Sequence, residues 1–537
     1  MKKSLFMAVI VLLLVAVLLP CVGCADSAGG RANIVNIGMT DTVPSVNPLL
    51  LDASEIGKTI CDFQFLQLCE LNSDLEFEGM LADSITTEDH IHFTVHIDDA
   101  AVWSDGTPIT ADDLVFSVLR YASPAVGNTA MLLYAFEGFD PETGFVAPGA
   151  KAEDLTGVVA TDDKTVVFTA REPMPMASFM NTYGRYIHVL PKHILEDIPE
   201  NELASHAWFD APTVVSGPYR MVAYDRDHYV SFVANDKYFK GAPKIEKLNI
   251  KIVEPSQQYA GLRSGEIDFV QQTTGNIPNE DYANVQSLEG VTTVLGAPVT
   301  NQSVFIQTAN VTDARIRQAI LHAIDRGALV SGLLGGNGEV VDGFLSSASP
   351  YYDDSIIPVE RNIEKAKSLV AEAVADGWDA NYELKFYVSS SDSVFVNAAS
   401  YIKSQLEEAG LKVKIQTVDF STLMSVAGST DYDMLAVQYT YSPVDPYPDV
   451  SWLLGGEGSW TSYDNAEVNE ALALSLSSDD PAVIRACYAK VDLAMQKDVP
   501  MFSAYIIRAL GAVNDRVAGA SPDVFGSYIN IHEWEIQ

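Results

Sequence analysis

Basic residues are scarce in this chain. Lys and Arg number 33 against 72 Asp and Glu in 537 residues, a formal net charge of −39. So acidic a surface repels nucleic acid and anionic lipid headgroups, which excludes a nucleic-acid partner and favours solubility without naming a ligand. Cysteine is scarce too, at five residues. Cys61 and Cys69 stand eight apart in a stretch that reads as mostly helical. Eight helical residues span ~12 Å, beyond the ~7 Å that a disulfide tolerates between Cα atoms. Cys61, Cys69 and Cys487 therefore read as buried free thiols, although an exported chain could oxidise them. Catalytic signatures are missing: there is no G-x-S-x-G, no H-E-x-x-H and no calcium-loop pattern. Gly57-Lys58-Thr59 echoes a phosphate-binding loop, but Asp52 takes the place of its first glycine and the segment reads as mid-helix. No enzymatic activity and no cofactor are expected.

Apolar runs long enough to span a membrane are absent as well. Leu5 to Leu19 is unbroken, but its 15 residues fall short of the ~20 that a spanning helix needs. Lys2 and Lys3 precede it, and Pro20-Cys21-Val22-Gly23-Cys24 follows. That is the form of a secretory signal peptide covering residues 1–23. Gly23 directly before Cys24 resembles the lipobox of bacterial lipoproteins, with Cys21 where leucine is usual. The resemblance implies that Cys24 is acylated and holds the protein on the outer face of a membrane. Residues 24–33 are then a small, polar tether.

What remains is ordinary globular material, 48% hydrophobic, long enough for two to four domains. Ile91, Phe93, Val95 and Ile97 alternate with His90, His92, Thr94 and His96, which predicts a half-buried strand. A helix is predicted over 111–121. Thr110 and Asp113 form its capping box, Ile109 and Leu114 its hydrophobic staple, and Leu114, Val115, Val118 and Leu119 its buried stripe. Lys164 to Thr169 reads as another strand. Further helices are marked by Ile316–Ile324 and Ile363–Val374. Leu384, Phe386 and Val388 alternate as a strand. Val396, Ala399, Ile402, Leu406 and Ala409 follow at helical spacing, and Leu411, Val413 and Ile415 alternate again after Gly410. Strand, helix, strand is a βαβ unit with parallel strands.

Two clusters are candidates for function. His90, His92 and His96 share one strand face, where i, i+2 imidazoles can hold zinc or nickel. No second histidine cluster accompanies them, so they read as a solvent face of the strand and no bound metal is expected. Tyr439, Tyr441, Tyr447, Trp452, Trp460 and Tyr463 crowd into 25 residues with Pro443, Pro446 and Pro448. Aromatic loops that follow a strand suit a ligand pocket, or a packed core beneath a long loop.

Several segments resemble the bacterial family 5 extracellular solute-binding proteins, which serve dipeptide, oligopeptide and nickel importers. Trp103-Ser104-Asp105-Gly106-Thr107-Pro108-Ile109-Thr110-Ala111-Asp112-Asp113-Leu114-Val115-Phe116-Ser117 matches the family's W-x-D-G-x-P-x-T-A-x-D-V-x-F-S pattern. Ser216-Gly217-Pro218-Tyr219 matches its S-G-P-Y turn, and Asn235, Tyr238, Gly241 and Pro243 the stretch after it. Arg263 to Asp268 is similar to its S-G-E-I-D element, Asp313 to Arg326 to its D-x-R-x-R-Q-A-I-x-x-A-I-D-R helix, and Asp433 to Pro446 and Trp460 to Val468 to later landmarks. They fall in the family's order from about residue 34 to the C-terminus.

The resemblance implies an α/β, two-lobed fold of the periplasmic-binding-protein type (type II) with an extra subdomain. Lobe I would cover 34–298 plus 506–537, including a subdomain at 67–200, and lobe II would cover 299–505. Two strands near 298–308 and 503–508 would join them as a hinge. The function implied is capture of a small solute, a peptide or a peptide-like molecule, between the lobes of a monomer and delivery to the permease subunits of an ABC importer. A sensory co-receptor, or a binder of sugars or other solutes, fits the same fold. The segment 103–117 would mark fold and not ligand contact. Ligand contacts are expected from Tyr439, Tyr441, Ser442, Asp445 and Trp460. Peptide-binding members hold the ligand's amino terminus with an aspartate four residues before a late proline, and aligning that proline with Pro446 puts Ser442 there. Either Asp445 takes over, or the ligand lacks a free peptide amine. The serine favours the second, because a hydroxyl supplies no charge to a buried ammonium.

Overall fold

The computed structural model describes residues 33–537, except 52–53, 129–130, 391–392, 455–458 and 479 and the side chains of Ser393 and Trp452. The apolar leader, Cys24 and the tether as far as residue 32 lie outside the described residues, as does Asp52.

Two large sheets organise the chain. The first has seven strands, in the order Val291–Leu295, Leu510–Asn514, Phe269–Val270, Ile34–Met39, Lys247–Ile252, Tyr229–Ala234 and Tyr219–Asp225. Ile34–Met39 runs parallel to Lys247–Ile252 and is buried from Val35 onward, as a strand covered on both faces must be. The second sheet has six strands: Gly338–Glu339, Met501–Ile507, Thr300–Ile306, Met434–Thr440, Glu383–Ser389 and Lys412–Val418. Alternation along Thr300–Ile306 feeds two cores. Val304 and Ile306 pack with Phe386 and Ile402 on one face, and Phe305 packs with Leu435 and Tyr441 on the other. The predicted βαβ unit is present. Glu383–Ser389 pairs parallel with Lys412–Val418, Leu384 opposite Val413, across the helix Ser393–Glu408.

The sheets are joined twice, side by side. Val291–Leu295 and Leu510–Asn514 are antiparallel neighbours in the seven-stranded sheet. Thr300–Ile306 and Met501–Ile507, into which they lead, are antiparallel neighbours in the six-stranded one. Residues 296–299 and 508–509 make the two crossings, and the Gly296 N–H donates to the Ala509 carbonyl at 2.8 Å. The strands expected to form the hinge thus belong to the six-stranded sheet, and Met501–Ile507 extends past residue 505. The connection itself is shorter than expected, because strand pairing continues almost to the crossing.

A four-stranded sheet, Ala82–Thr86, His92–Ile97, Thr165–Thr169 and Val158–Ala160, carries the helix Ala111–Tyr121 over a core containing Phe93, Trp103, Leu114 and Phe168. The helix begins where its capping box predicts. Asp113 is buried and accepts from the Thr110 N–H at 2.9 Å, the Thr110 hydroxyl at 3.1 Å and the Lys192 N–H at 3.0 Å. Asp113→Ala should cost about 1–2 kcal/mol, since it strands these half-buried donors. Urea denaturation would measure this, and a loss under about 0.5 kcal/mol would contradict it.

The histidine-bearing strand is shorter than its alternation suggests. His90 has φ 61° and sits in the turn before it. His92 Nδ1 lies 2.7 Å from Asp89 and His96 Nδ1 2.9 Å from Asp83, so each imidazole has its own carboxylate. No group of three or more His, Cys, Asp or Glu side chains placed to hold a metal occurs among the described residues. Cys61 and Cys69 also differ from the helical reading. The helix Glu55–Gln64 stops after Cys61, and Cys69 opens the strand Cys69–Leu71. Cys61, Cys69 and Cys487 are free and buried, and burial pushes the Cys69 thiol up to about 12.

Candidate ligand-binding cleft

The strand Met434–Thr440 leaves the six-stranded sheet through a proline-rich loop, 441–446, and enters the helix Tyr447–Leu454. Tyr441 anchors that loop. It is buried, its hydroxyl accepts from the Ser346 N–H at 2.9 Å, and it lies 2.6 Å from the Ser346 hydroxyl. The Ser349 hydroxyl holds the Pro443 carbonyl at 2.7 Å. So fixed, the loop presents Tyr441, Ser442 and Asp445, and the helix after it Asp449, to a cavity of about 560 Å³. The opposite wall comes from the other lobe and includes Glu55, Tyr134, Asn181, Arg185 and Phe525.

Asp445 meets that wall directly. It is 5% exposed, and it accepts from the Ser178 hydroxyl at 2.8 Å and from the Asn181 amide at 3.4 Å. Burial pushes its carboxyl up to about 6, with the bonds from Ser178 and Asn181 pulling the other way. Asp449 is pushed to about 7 by burial and by the neighbouring charge of Asp445.

Behind Asn181 lies a buried ion cluster that sequence reading did not find. The Arg185 guanidinium donates to Asn181 at 3.1 Å and pairs with Glu70. Glu70 also pairs with Lys58, which reaches Asp62 at 2.7 Å, and Asp62 meets His188 at 2.7 Å. Burial would raise Glu70, but Arg185 and Lys58 more than offset it and hold the carboxyl well below its usual range. Two cations thus face two anions, and neither Arg185 nor Lys58 has charge to spare. The lysine of the phosphate-loop echo is spent here, in mid-helix. Only the i, i+4 spacing of Lys58 and Asp62 hinted at the cluster, since Glu70 and Arg185 are 115 residues apart.

Of the five expected contact residues, Tyr441, Ser442 and Asp445 line the cavity. Tyr439 stacks on Phe344 at 5.6 Å with its hydroxyl 3.0 Å from Ser303. Trp460 stands edge-on to Phe305 at 5.3 Å. Both pack against the core beneath the loop. Asp445 reaches the cavity although it is three residues from the aligned position, because the loop turns through a bond from the Asp445 N–H to the Ser442 carbonyl at 3.4 Å.

A second cavity, of about 550 Å³, continues the groove. Gln438 lines it and Thr440 lines the first, two residues apart on one face of the same strand. Across the groove Asn276 lines the second cavity and Thr273 the first, three residues apart at the short helix Gln272–Gly275.

A groove between two sheets joined by paired crossings is the architecture that the sequence resemblance implies. The model of "Bacterial extracellular solute-binding proteins, family 5 Middle" matches residues 76–461. The chain belongs to this family. A putative ABC transporter peptide-binding protein of Brucella ovis is 26% identical to this family 5 protein over 513 residues, covering 92% of this chain and 90% of the relative. The oligopeptide-binding protein AppA of Bacillus subtilis is 24% identical over 568 residues, covering 99% and 98%. The structure of that AppA in complex with a nonapeptide superposes with a TM-score of 0.73 at 22% identity, over 94% of this chain and 99% of the other. A putative peptide-binding AppA from Clostridium difficile reaches 0.78 at 19% identity, over 94% and 100%. The fold is therefore the two-lobed α/β fold of family 5 solute-binding proteins. No helix among the described residues is long and apolar enough to cross a membrane.

Proposed function

We propose that this family 5 protein captures peptides outside the cell membrane and delivers them to the permease subunits of an ABC importer, without catalysis and as a monomer. The observation that carries the reading is the inter-lobe cavity, with Asp445 and Asp449 on one wall and Arg185 and Asn181 on the other. A ligand touching both walls favours the closed arrangement over one opened at the paired crossings, and the importer recognises the closed shape. Lobe I would cover 34–298 and the C-terminal segment, with its subdomain at 67–200, and lobe II the remainder. The ligand's ammonium group would sit against Asp445, the first of the two outcomes that Ser442 at the aligned position leaves open.

Calorimetry of the mature chain with pooled di- to nonapeptides tests this. Micromolar binding, about −8 kcal/mol, is expected, and N-acetylation of the same peptides should abolish it. Equal binding after acetylation would remove the ammonium from the reading, and no binding at all would remove peptides. We further propose attachment through acylated Cys24, since two or three acyl chains hold firmly where one does not. Cys24→Ser should leave the leader uncleaved or release the protein from the membrane fraction. Wild-type processing and fractionation of this variant would exclude the anchor.

A further inference from the structure

The two cavities of the groove differ in chemistry. The first carries Glu55, Asp445 and Asp449, and the one cation among its described lining residues, Arg185, is already matched by Glu70. The second has no Lys, Arg or His among its described lining residues, and its one charged member is Glu280. Arg508, next to the lining residue Ile507, lies 3.7 Å from Glu339. The floor of the second cavity is a cross-strand row of Gln438, Gln302 and Tyr505. Gln302 is 1% exposed and its Oε1 has no hydrogen-bond partner. Phe420 and Val394 line the cavity while 54% and 42% exposed, large apolar groups that a bound molecule would cover.

We infer that this groove selects an amine-bearing peptide whose far end carries no free carboxylate, a C-terminally amidated, esterified or cyclised peptide with an apolar body. The inference rests on the reading of the groove as a peptide site. A carboxylate moved from water into the second cavity finds no counter-charge and meets Glu280, which is unfavourable where water is excluded. A carboxamide or other uncharged end escapes that cost, and the apolar body covers Phe420 and Val394. At the other end the ammonium meets carboxylates that have no cation of their own.

Calorimetry at pH 7.5 with one set of tri- to pentapeptides of Ala, Leu and Phe, each made as free acid, as C-terminal amide and as N-acetylated amide, tests the inference. The amides should bind at least about tenfold more tightly than the acids, and the acetylated amides should lose binding. Free acids that bind as tightly as the amides, or more tightly, would overturn the inference and leave the peptide reading standing. Binding by none of the three forms would overturn both. Gln438→Arg, at an exposed position of the same row, should shift the preference toward the free acids. An unchanged amide preference in a Gln438→Arg variant that melts like wild type would show that this cavity does not hold the far end, and would also overturn the inference.

Discussion

Glu70→Ala is expected to destabilise the protein by about 3–5 kcal/mol, the usual cost of breaking a buried ion pair by removing one partner. Glu70 is 8% exposed, and it accepts from Lys58, Arg185, the Leu71 N–H at 2.8 Å and Gln67 at 3.3 Å. Lys58 and Arg185 are as deeply buried, so its removal leaves Lys58 with Asp62 and takes the ion-pair partner from Arg185. The pH profile adds a check of sign. Glu70 is depressed in the folded state, so its contribution is present above the ordinary glutamate value and is lost as pH falls through the folded one. Asp445, Asp449 and Asp492 are raised to about 6, 7 and 7. The folded state holds their protons longer than the unfolded chain does, so each opposes folding as pH rises toward neutrality. Ligand-free wild type should therefore lose stability as pH rises from about 4 toward 7 and again as it falls below about 4, and Glu70→Ala should flatten the acid limb. Urea titrations from pH 3 to 8 would measure both effects. A loss below about 1 kcal/mol in Glu70→Ala would mean that the cluster is solvated and not the buried support of Arg185.

Asp445→Asn should lower affinity for amine-ended ligands about 100-fold, the scale of losing a desolvated partner charge. It should also leave the free protein at least as stable at pH 7.5. Those opposite signs separate a binding role from a packing role. The asparagine can still accept from Ser178, and it removes a carboxylate whose ionisation burial disfavours. In wild type an arriving ammonium favours the ionised carboxyl. Below pH ~6 binding must expel a proton, and affinity should fall by up to tenfold per pH unit. In Asp445→Asn the part of this slope that belongs to Asp445 disappears, and Asp449 keeps its own. Unchanged affinity and unchanged slope between pH 5 and 8 would return the site to the alternative in which the ligand lacks a free amine.

The elements read most reliably from the sequence were those whose causes are local. The helix 111–121 was announced by Thr110 and Asp113, and it runs over those residues because a cap is satisfied within four positions. The βαβ unit was announced by a change of apolar period from 2 to 3.6 and back, which fixes which side chains can share a face. Trp103 packs in the subdomain core, in keeping with a segment that marks fold. Apolar alternation failed where an adjacent turn overrode it. His90 looked like one more strand position until the Asp89 carboxylate took the Ile91 and His92 N–H groups and closed a turn there.

The cleft was readable in part. Sequence offered Tyr439, Tyr441 and Trp460 through aromatic crowding, and Ser442 and Asp445 through the family alignment on Pro446. It could not say that Tyr439 and Trp460 would pack against Phe344 and Phe305, since strand alternation groups residues by face without saying what covers that face. Nor could it find Ser178, Asn181, Glu70 and Arg185. Ser178 is 267 positions from the Asp445 it bonds, and no spacing rule reaches so far.

By itself, then, the sequence determined the family, the acidic character, the caps and the periodic faces, all of which follow from interactions between residues close along the chain. The tertiary structure alone decided the charge of the site. Which carboxylates keep a free face and which cations are already matched depends on the approach of two sheets, and on burial that makes each unpaired charge costly enough to matter.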